Sequence, residues 1–470
     1  MLPEWIVVGF SGHRSIADSK VIGDSISAAL DDLASKCGAM VAVSSLAKGS
    51  DTLFVEEVVE RKIPFLLVLP FPSDRFQQDF EAKDWQRVTP LLAKASHREE
   101  VSGTNSPDEA YMETGALIVD RADVVIAVWD GKPSNGLGGT GDVVDYSRAL
   151  GKPLKWIDAT TGGIVTERFE SLPKINASVA WSGNAYQTVE EHFRELDEAA
   201  LLRAPAVRHL LQRIVLLHLT ASAAGLVALA LHIGGVGGYL IALLEVGVLA
   251  SAFILTAKRH RRHAEWMKTR IEAEICRSFL ATWPMRSRVI RTPKLAIQGF
   301  ERFTSNLRLL QQMDGNPTPA LETACSEYLE GRVQHQIDYF GRRCQAAQGA
   351  YRKLKAWAMT STAAAATLAA AHFALSLLHI EGPAVTLTGL LSLILPLVSA
   401  ALFSLILTQE HSRRASRYRE MVSMLEEAAQ QLKAVRTWNG LTRIAADTEE
   451  QLLNEAVEWH SFRRFATEPH

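Results

Sequence analysis

Two short stretches combine small residues with a cation, a combination suited to binding phosphate groups. Residues 9–14 read Gly-Phe-Ser-Gly-His-Arg, and residues 44–51 read Ser-Ser-Leu-Ala-Lys-Gly-Ser-Asp. Glycine lets the backbone approach a ligand, free backbone N–H groups attract anions, and arginine can donate two parallel hydrogen bonds to a phosphate. His13 is either a polar contact to the ligand or a loop residue satisfied by its own neighbours. We expect a phosphorylated ligand to contact Gly9, Ser11, Gly12, Arg14, Lys48 and Gly49.

Two further stretches could complete such a site. Pro70-Phe71-Pro72 could form an apolar wall for a base, and Asp130-Gly131 leads into a glycine-rich run that opens a helix predicted over Val143–Leu150. Each stretch alone is often only a tight turn that binds nothing. Together at one edge of a sheet, they favour a ligand that also contacts Asp130, Gly138, Gly139, Thr140 and Gly141.

The elements that would position these residues form an α/β domain. Apolar runs rich in β-branched residues alternate with helical patterns, which is typical of a parallel sheet covered on both faces. Ligands bind such sheets at the carboxyl ends of the strands, where all four stretches would lie. The predicted strands are Trp5–Phe10, Met40–Val43, Pro64–Pro70, Val124–Trp129 and Leu154–Ile157.

Residues 4–158 resemble the SLOG superfamily of Rossmann-like domains, which includes the LOG nucleotide hydrolases and ligand-sensing modules. The resemblance rests on GFSGHR, SSLAKGSD and ADVVIAVWDGKPSNGLGGTGDVVDYSRALGKP. The LOG signature PGGxGTxxE is altered here, because Leu137 replaces proline, Asp142 replaces threonine and Asp145 replaces the catalytic glutamate. The resemblance therefore implies nucleotide binding more than glycosidic hydrolysis. The alternative is a membrane-tethered nucleotide N-glycosidase that uses Arg14 as phosphate clamp and Asp145 as acid/base.

Four apolar segments predict a four-pass membrane protein. Ile214–Leu231, Ala358–Leu378 and Ala384–Thr408 carry no formal charge, and Tyr239–Thr256 carries only Glu245. A run of about 18 or more apolar residues can cross a bilayer as a helix. A carboxylate in the middle of a span usually faces water, a partner or an ion pathway. Glu245 is therefore a pore candidate, and the alternatives are a protonated glutamate or one close to the membrane interface.

Basic residues flank the span pairs on one side only. The two short turns between spans, His232–Gly238 and His379–Pro383, contain no Lys or Arg. The positive-inside rule therefore predicts that both termini lie in the cytoplasm, with the protein in the inner membrane. The flanking cations are Arg203, Arg208, Arg213, Lys258, Arg259, Arg261, Arg262, Arg342, Arg343, Arg352, Lys353, Lys355, Arg413, Arg414, Arg417 and Arg419.

Composition adds little to this division. The 470 residues carry 50 Lys+Arg against 52 Asp+Glu, so no nucleic acid polymer is expected as partner. The four cysteines lack metal-ligand spacing, and we expect neither a metal nor a cofactor. We divide the chain into an α/β ligand-binding domain (1–160), a linker and helix start (161–200), a first hairpin with a cytoplasmic helix (201–285), a connector (286–319) and a second hairpin with flanking helices (320–470).

The second hairpin resembles the SLATT two-pass family. The resemblance covers about residues 320–440 and includes YLEGRVQHQIDYFGRRCQAAQGAYRKLKAW. It implies a pore-forming effector of bacterial conflict systems, controlled here by a nucleotide second messenger such as a cyclic oligonucleotide or an ADP-ribose derivative. Helices that continue past the spans would form cytoplasmic stalks. Their apolar stripes would be covered either within the chain or by homo-oligomerisation.

Overall fold

The chain folds into two compact units. The computed structural model describes residues 2–101, 104, 106–173, 175, 183–286 and 300–465. The first unit contains Met1–His192 with Leu295–Pro317, and the second contains Phe193–Lys294 with Thr318–His470. Residues 287–299 of the predicted connector lie outside the described residues, as do the side chains of Arg208, Arg259, Arg261 and Arg262.

The first unit contains a seven-stranded sheet with the order β4-β3-β2-β1-β5-β6-β7. All neighbouring strands are parallel except β6 and β7, which are antiparallel. The predicted α/β fold with a parallel sheet is therefore confirmed, and two edge strands are added to it. The strands are β1 (Ile6–Gly12), β2 (Met40–Ser44), β3 (Phe65–Leu69), β4 (His97–Glu100), β5 (Val124–Trp129), β6 (Leu154–Asp158) and β7 (Ile164–Glu167).

Helices cover both faces of this sheet, because its central strands bury side chains on both sides. Along β5, Ile126 and Val128 belong to one apolar cluster, whereas Ala127 and Trp129 belong to another. This alternation follows the pleat of a strand. The helices of the first unit are α1 (Ser19–Cys37), α2 (Ser50–Glu60), α3 (Ser73–Phe76), α4 (Ala82–Lys94), α5 (Pro107–Arg121) and α6 (Thr140–Ala149).

The second unit is helical. Its elements are α7 (Ala185–Ala230), which begins in the first unit, α8 (Gly235–Ala281), α10 (Leu321–Tyr328), a π-helical turn (Leu329–Gln334), α11 (His335–Leu377), α12 (Pro383–Gln409), α13 (His411–Ala434) and α14 (Trp438–Phe465). Four helical stretches are long and apolar enough to cross a membrane: Gln212–Ala230, Gly235–Thr256, and segments within Leu321–Leu377 and Pro383–Ala434. The four predicted spans thus form helices. The cytoplasmic helix predicted over His263–Thr282 is a continuation of α8.

One helix from between the two hairpins belongs to the first unit. This helix, α9 (Phe300–Met313), buries Phe300, Leu307 and Leu310. Arg302 on α9 donates a hydrogen bond to the carbonyl oxygen of Trp5 at 3.2 Å. The same guanidinium lies 3.5 Å from the carboxylate of Asp123, which also accepts a hydrogen bond from the Val7 amide. The chain therefore returns to the amino ends of β1 and β5 before it enters the second hairpin.

The second hairpin is held together by polar contacts between its spans. Ser361 donates a hydrogen bond to the carbonyl oxygen of Leu395 at 2.9 Å, and Ser399 donates one to the carbonyl oxygen of Ala358 at 3.1 Å. The hydroxyls of Thr362 and Ser399 lie 2.7 Å apart. Small polar residues of this kind allow close approach of helices within a bilayer.

Candidate functional site

The candidate site lies where the strand order of the sheet reverses. β1 pairs with β2 on one side and with β5 on the other, and both pairings are parallel. The connections after β1 and β5 therefore diverge at this point, which is the usual position of a ligand in an open α/β sheet. β1 extends two residues beyond the predicted end because Ser11 and Gly12 pair with Ala127 and Val128.

The two glycines of the first glycine-rich stretch allow close packing against β1. Gly9 lies within β1, and a Cβ there would lie 2.8 Å from the Cβ of Ala122. A Cβ at Gly12 would overlap the Ser50 hydroxyl. These glycines therefore permit close packing of helices against β1, and the exposed loop begins at His13.

The loop after β1 is tied to the start of α2. The backbone amide of Ser50 donates to the carbonyl oxygen of His13 at 3.2 Å, and the Ser50 hydroxyl donates to the same oxygen at 2.9 Å. Gly49 has a φ of +95°, and a Cβ there would lie 2.7 Å from the His13 oxygen. Both the positive φ and the close approach to His13 require glycine at position 49. Through these contacts the stretches after β1 and β2 form one surface, as expected from the parallel sheet.

A buried acid beneath this surface was not identified from the sequence as a site residue. Asp51 is only 2% exposed and accepts hydrogen bonds from the Gly12 amide at 3.1 Å and from the Ser45 hydroxyl at 2.7 Å. Burial raises the pKa of Asp51 to about 7, although these hydrogen bonds favour the ionised form. The Gly12 N–H is thus occupied by a carboxylate.

Arg14 belongs to a cluster of cations and aromatic rings, which we call the Arg14 cluster. Its guanidinium carbon lies 4.4 Å from the centre of the Tyr111 ring, and that of Arg75 lies 4.6 Å from the Phe71 ring. The two rings meet edge to face at 5.6 Å. Asp79 joins the two halves, since it accepts hydrogen bonds from the Tyr111 hydroxyl and from Arg75. Burial and, to a smaller extent, the hydrogen bond to Asp79 raise the pKa of Tyr111, which keeps its hydroxyl protonated.

The Arg14 cluster includes the predicted apolar wall at Phe71. It also contains Tyr111, Arg75 and Asp79, which no sequence motif identified. Tyr111 comes from α5, and α5 has no pattern that would mark it as part of a site. Offset arrangements of guanidinium over an aromatic ring stabilise both groups by about 0.5–1 kcal/mol at exposed sites.

The Lys48 side chain is paired with two carboxylates. Its ammonium group is 2.9 Å from a carboxylate oxygen of Glu81 and 3.0 Å from one of Asp84. The hydrogen bond with Glu81, followed by that with Asp84, raises the pKa of Lys48. A phosphate bound to Lys48 would have to compete with these carboxylates.

His13 and Asp130 face each other across the ends of β1 and β5. The Nε2 atom of His13 lies 3.1 Å from a carboxylate oxygen of Asp130 and 3.1 Å from the Asp130 amide nitrogen. A protonated Nε2 can donate to the carboxylate, whereas a deprotonated Nε2 can accept from the amide. Hydrogen bonds from the Lys132 amide and from His13 lower the pKa of Asp130. His13 therefore has neighbours of its own, and it stays a candidate ligand contact.

The glycine-rich run after β5 packs on the first turn of α5. Gly138 has a φ of +86°, and a Cβ there would lie 2.6 Å from the Met112 amide nitrogen. α6 begins at Thr140, three residues before the predicted start, with Gly139 as its N-cap. Asp142 accepts a hydrogen bond from the Gly138 amide at 2.9 Å. The acid that departs from the LOG signature thus takes an N–H group that an anion would otherwise bind.

The two residues of the alternative hydrolase site contact different partners. The Asp145 side chain is 73% exposed and lies 3.8 Å from Arg148 on the same helix. Arg148 in turn pairs with Glu167 on β7 at 2.7 Å. Arg14 instead contacts Tyr111 on α5. This arrangement gives no support to Arg14 and Asp145 as a catalytic pair.

Glu245 is half-buried against the neighbouring helix of the first hairpin. It is the eleventh of the 22 residues in its candidate span. A Cβ at Gly225 on α7 would overlap a carboxylate oxygen of Glu245. Gly225 therefore makes room for the carboxylate along the seam between α7 and α8.

Comparison with protein families finds one match, which covers the second hairpin. The model of the family described as SMODS and SLOG-associating 2TM effector domain 1, abbreviated SLATT, matches residues 328–459. Comparison with curated proteins finds no match. The matched residues include the π-helical turn, both spans of the second hairpin and α13. The match supports the SLATT resemblance for this part of the chain, which contains two of the four candidate membrane spans.

Proposed function

We propose that this protein is a membrane effector controlled by a nucleotide-derived second messenger. In this proposal the first unit is a SLOG-like sensor, and the second unit forms a pore or ion channel as a homo-oligomer. The protein would lie in the bacterial inner membrane with both termini in the cytoplasm and would act in anti-phage defence. The observation that supports it best is the fusion of a SLATT effector domain to an α/β unit with convergent loops at its switch point.

The chemistry of the Arg14 cluster favours a ligand with both a ring and an anionic group. Arg14 and Arg75 provide two guanidinium groups, and Tyr111 and Phe71 provide two aromatic rings within the same cluster. Guanidinium groups bind phosphate with paired hydrogen bonds, and aromatic rings stack on bases. A cyclic oligonucleotide or an ADP-ribose derivative has both features.

The proposal is tested with the purified full-length protein in liposomes. Ion leakage is measured with and without a panel of cyclic oligonucleotides and ADP-ribose derivatives, and each nucleotide is then analysed by chromatography. Leakage that requires one nucleotide, with that nucleotide recovered intact, is the expected result. Empty liposomes and the Arg14→Ala protein are the controls.

The other outcomes of this experiment contradict the proposal in different ways. Consumption of a nucleotide without leakage would establish the hydrolase alternative. Leakage that is independent of every nucleotide would support the pore and contradict the sensor. If neither leakage nor consumption of a nucleotide is observed, both the sensor and the pore are contradicted.

A further inference from the structure

A buried charged cluster joins three helices in the cytoplasmic part of the second unit. Arg332 and Glu449 form a two-bond ion pair at 2.8 Å and 2.6 Å, and their side chains are 4% and 1% exposed. Glu449 also accepts hydrogen bonds from the Tyr328 hydroxyl at 3.0 Å and from the Ser278 hydroxyl at 2.6 Å. Tyr328 and Ser278 are themselves buried. We call these four residues the joint.

The joint connects the two hairpins. Ser278 lies near the end of α8, the helix that contains the second candidate span. Tyr328 and Arg332 precede α11, which contains the third span, and Glu449 lies on α14 at the carboxyl end of the matched domain. The first hairpin is therefore attached to the SLATT domain through charged hydrogen bonds as well as through the chain.

A buried ion pair of this kind contributes little net free energy to the packing of helices. Desolvation of the two charges offsets most of their attraction, and apolar residues of similar volume often stabilise a fold equally well. Here one guanidinium nitrogen of Arg332, Nη1, is buried and has no hydrogen-bond partner among the described residues. The ion pair therefore fixes the geometry of the joint, but it leaves one hydrogen-bond donor of Arg332 unused. We expect this combination in a contact that opens.

The backbone that presents Arg332 supports the same view. Leu329–Gln334 form a π-helical turn between α10 and α11. Such turns contain one residue more than an α-helix, and they occur often at functional sites. Loss of the extra residue would change the register of α11 relative to α10 by one position, about 100° around an α-helix. Arg332 would then leave the joint.

We propose that the joint is a latch that holds the π-helical turn, and that its release allows α11 to rotate and the effector to open. The proposal rests on the proposed effector function, and it adds the residues through which opening would be restrained. Arg332 and Glu449 act as positioning residues here, with Ser278 extending the restraint to the first hairpin.

The test separates restraint from simple stability. Glu449→Gln leaves the Arg332 charge buried without its partner, so we expect a lower melting temperature. The double variant Arg332→Met with Glu449→Leu fills the same space with apolar groups, and we expect it to melt close to the parent protein. Asp447→Asn removes an exposed charge from the same helix and is the matched control.

Two readouts on the stable double variant decide the proposal. Hydrogen exchange of residues 321–345 should accelerate by about tenfold or more, since a charge-assisted hydrogen bond that restrains opening has been lost. Leakage from liposomes should no longer require a nucleotide. Unchanged exchange, together with leakage that still requires the nucleotide, would show that the joint is only structural.

The exchange readout also distinguishes this proposal from the proposed function. If the parent protein does not leak with any of the nucleotides, the effector function fails, and faster exchange in the double variant would still establish a latch. If the double variant melts far below the parent protein, Ser278→Ala takes its place, because it retains the ion pair. Faster exchange near the end of α8 would then support the latch, and unchanged exchange would overturn it.

Discussion

At the scale of single residues, the candidate site already contains negative charge. The Gly12 and Gly138 amides, which could bind a phosphate, donate instead to Asp51 and Asp142. Arg14 is exposed, and its guanidinium lies over the Tyr111 ring. Because of this difference, we expect Arg14 to contribute more to binding an anion than either glycine-rich loop.

Replacement of Arg14 by alanine should abolish most nucleotide binding. Charge-assisted hydrogen bonds contribute about 1.5–3 kcal/mol each, so affinity should fall by about tenfold to more than a hundredfold. The measurement is isothermal titration of the nucleotide identified by leakage. Lys94→Ala, an exposed cation near the end of α4, should bind as the parent protein does. Equal affinity of Arg14→Ala and the parent protein would remove Arg14 from the site.

Asp51 should make the stability of the protein depend on pH. Burial raises its pKa to about 7 in the folded state, well above the value of about 3.9 for an unfolded chain. The folded state therefore binds the proton more tightly, and the stabilisation is complete below about pH 4 and is lost as the pH rises towards 7. Asp51→Asn cannot titrate, so its melting temperature should vary less over this interval. Parallel profiles for the two proteins would contradict the assignment.

At the scale of elements, apolar patterns predict the interior of the molecule well. The central strands are apolar runs because both of their faces are buried, and the four candidate spans are apolar runs long enough to cross a membrane. β4 reads His-Arg-Glu-Glu, and three of the four residues in β7 are exposed. β4 contains no apolar residue, and the apolar part of β7 is only Ile164 and Val165, so neither strand has an apolar run long enough to predict it.

Contacts between distant residues could not be predicted in the same way. Asp51 reaches Gly12 from another loop, and Tyr111 reaches Arg14 from a helix with no site motif. The buried pair of Arg332 and Glu449 joins residues 117 positions apart. Each of these contacts depends on tertiary packing, whereas motifs report only local sequence.

The seam of the first hairpin gives a test at this scale. Gly225→Ala would place a methyl group where a Glu245 carboxylate oxygen lies, so the Glu245 side chain would have to move. We expect Gly225→Ala to melt below Gly247→Ala in detergent, since both variants gain helix propensity and only Gly225→Ala displaces Glu245. Gly247→Ala is the matched control, because a Cβ at that position has no neighbour within 4 Å in the part of the chain that the structure describes. Equal melting temperatures for the two variants would show that Glu245 does not lie against Gly225.

At the scale of the whole molecule, the order of elements along the chain matters more than any single contact. The chain leaves the first unit, forms the first hairpin, returns as α9 and then forms the second hairpin. The chain therefore passes between the two units three times. The sequence around α9 contains prolines and glycines on either side and gives no sign that this helix completes the α/β unit.

The contribution of α9 can be measured with fragments of the first unit. Residues 1–192 alone lack α9, whereas residues 1–192 joined to 295–317 by a flexible linker regain it. We expect the linked fragment to melt at a higher temperature, because α9 buries Phe300, Leu307 and Leu310. Arg302→Ala in the linked fragment should remove part of this gain, about 1 kcal/mol for the hydrogen bond to Trp5. If α9 were only a connector between the hairpins, both fragments would melt together and Arg302→Ala would change nothing, and coupling through this helix would then have no structural basis.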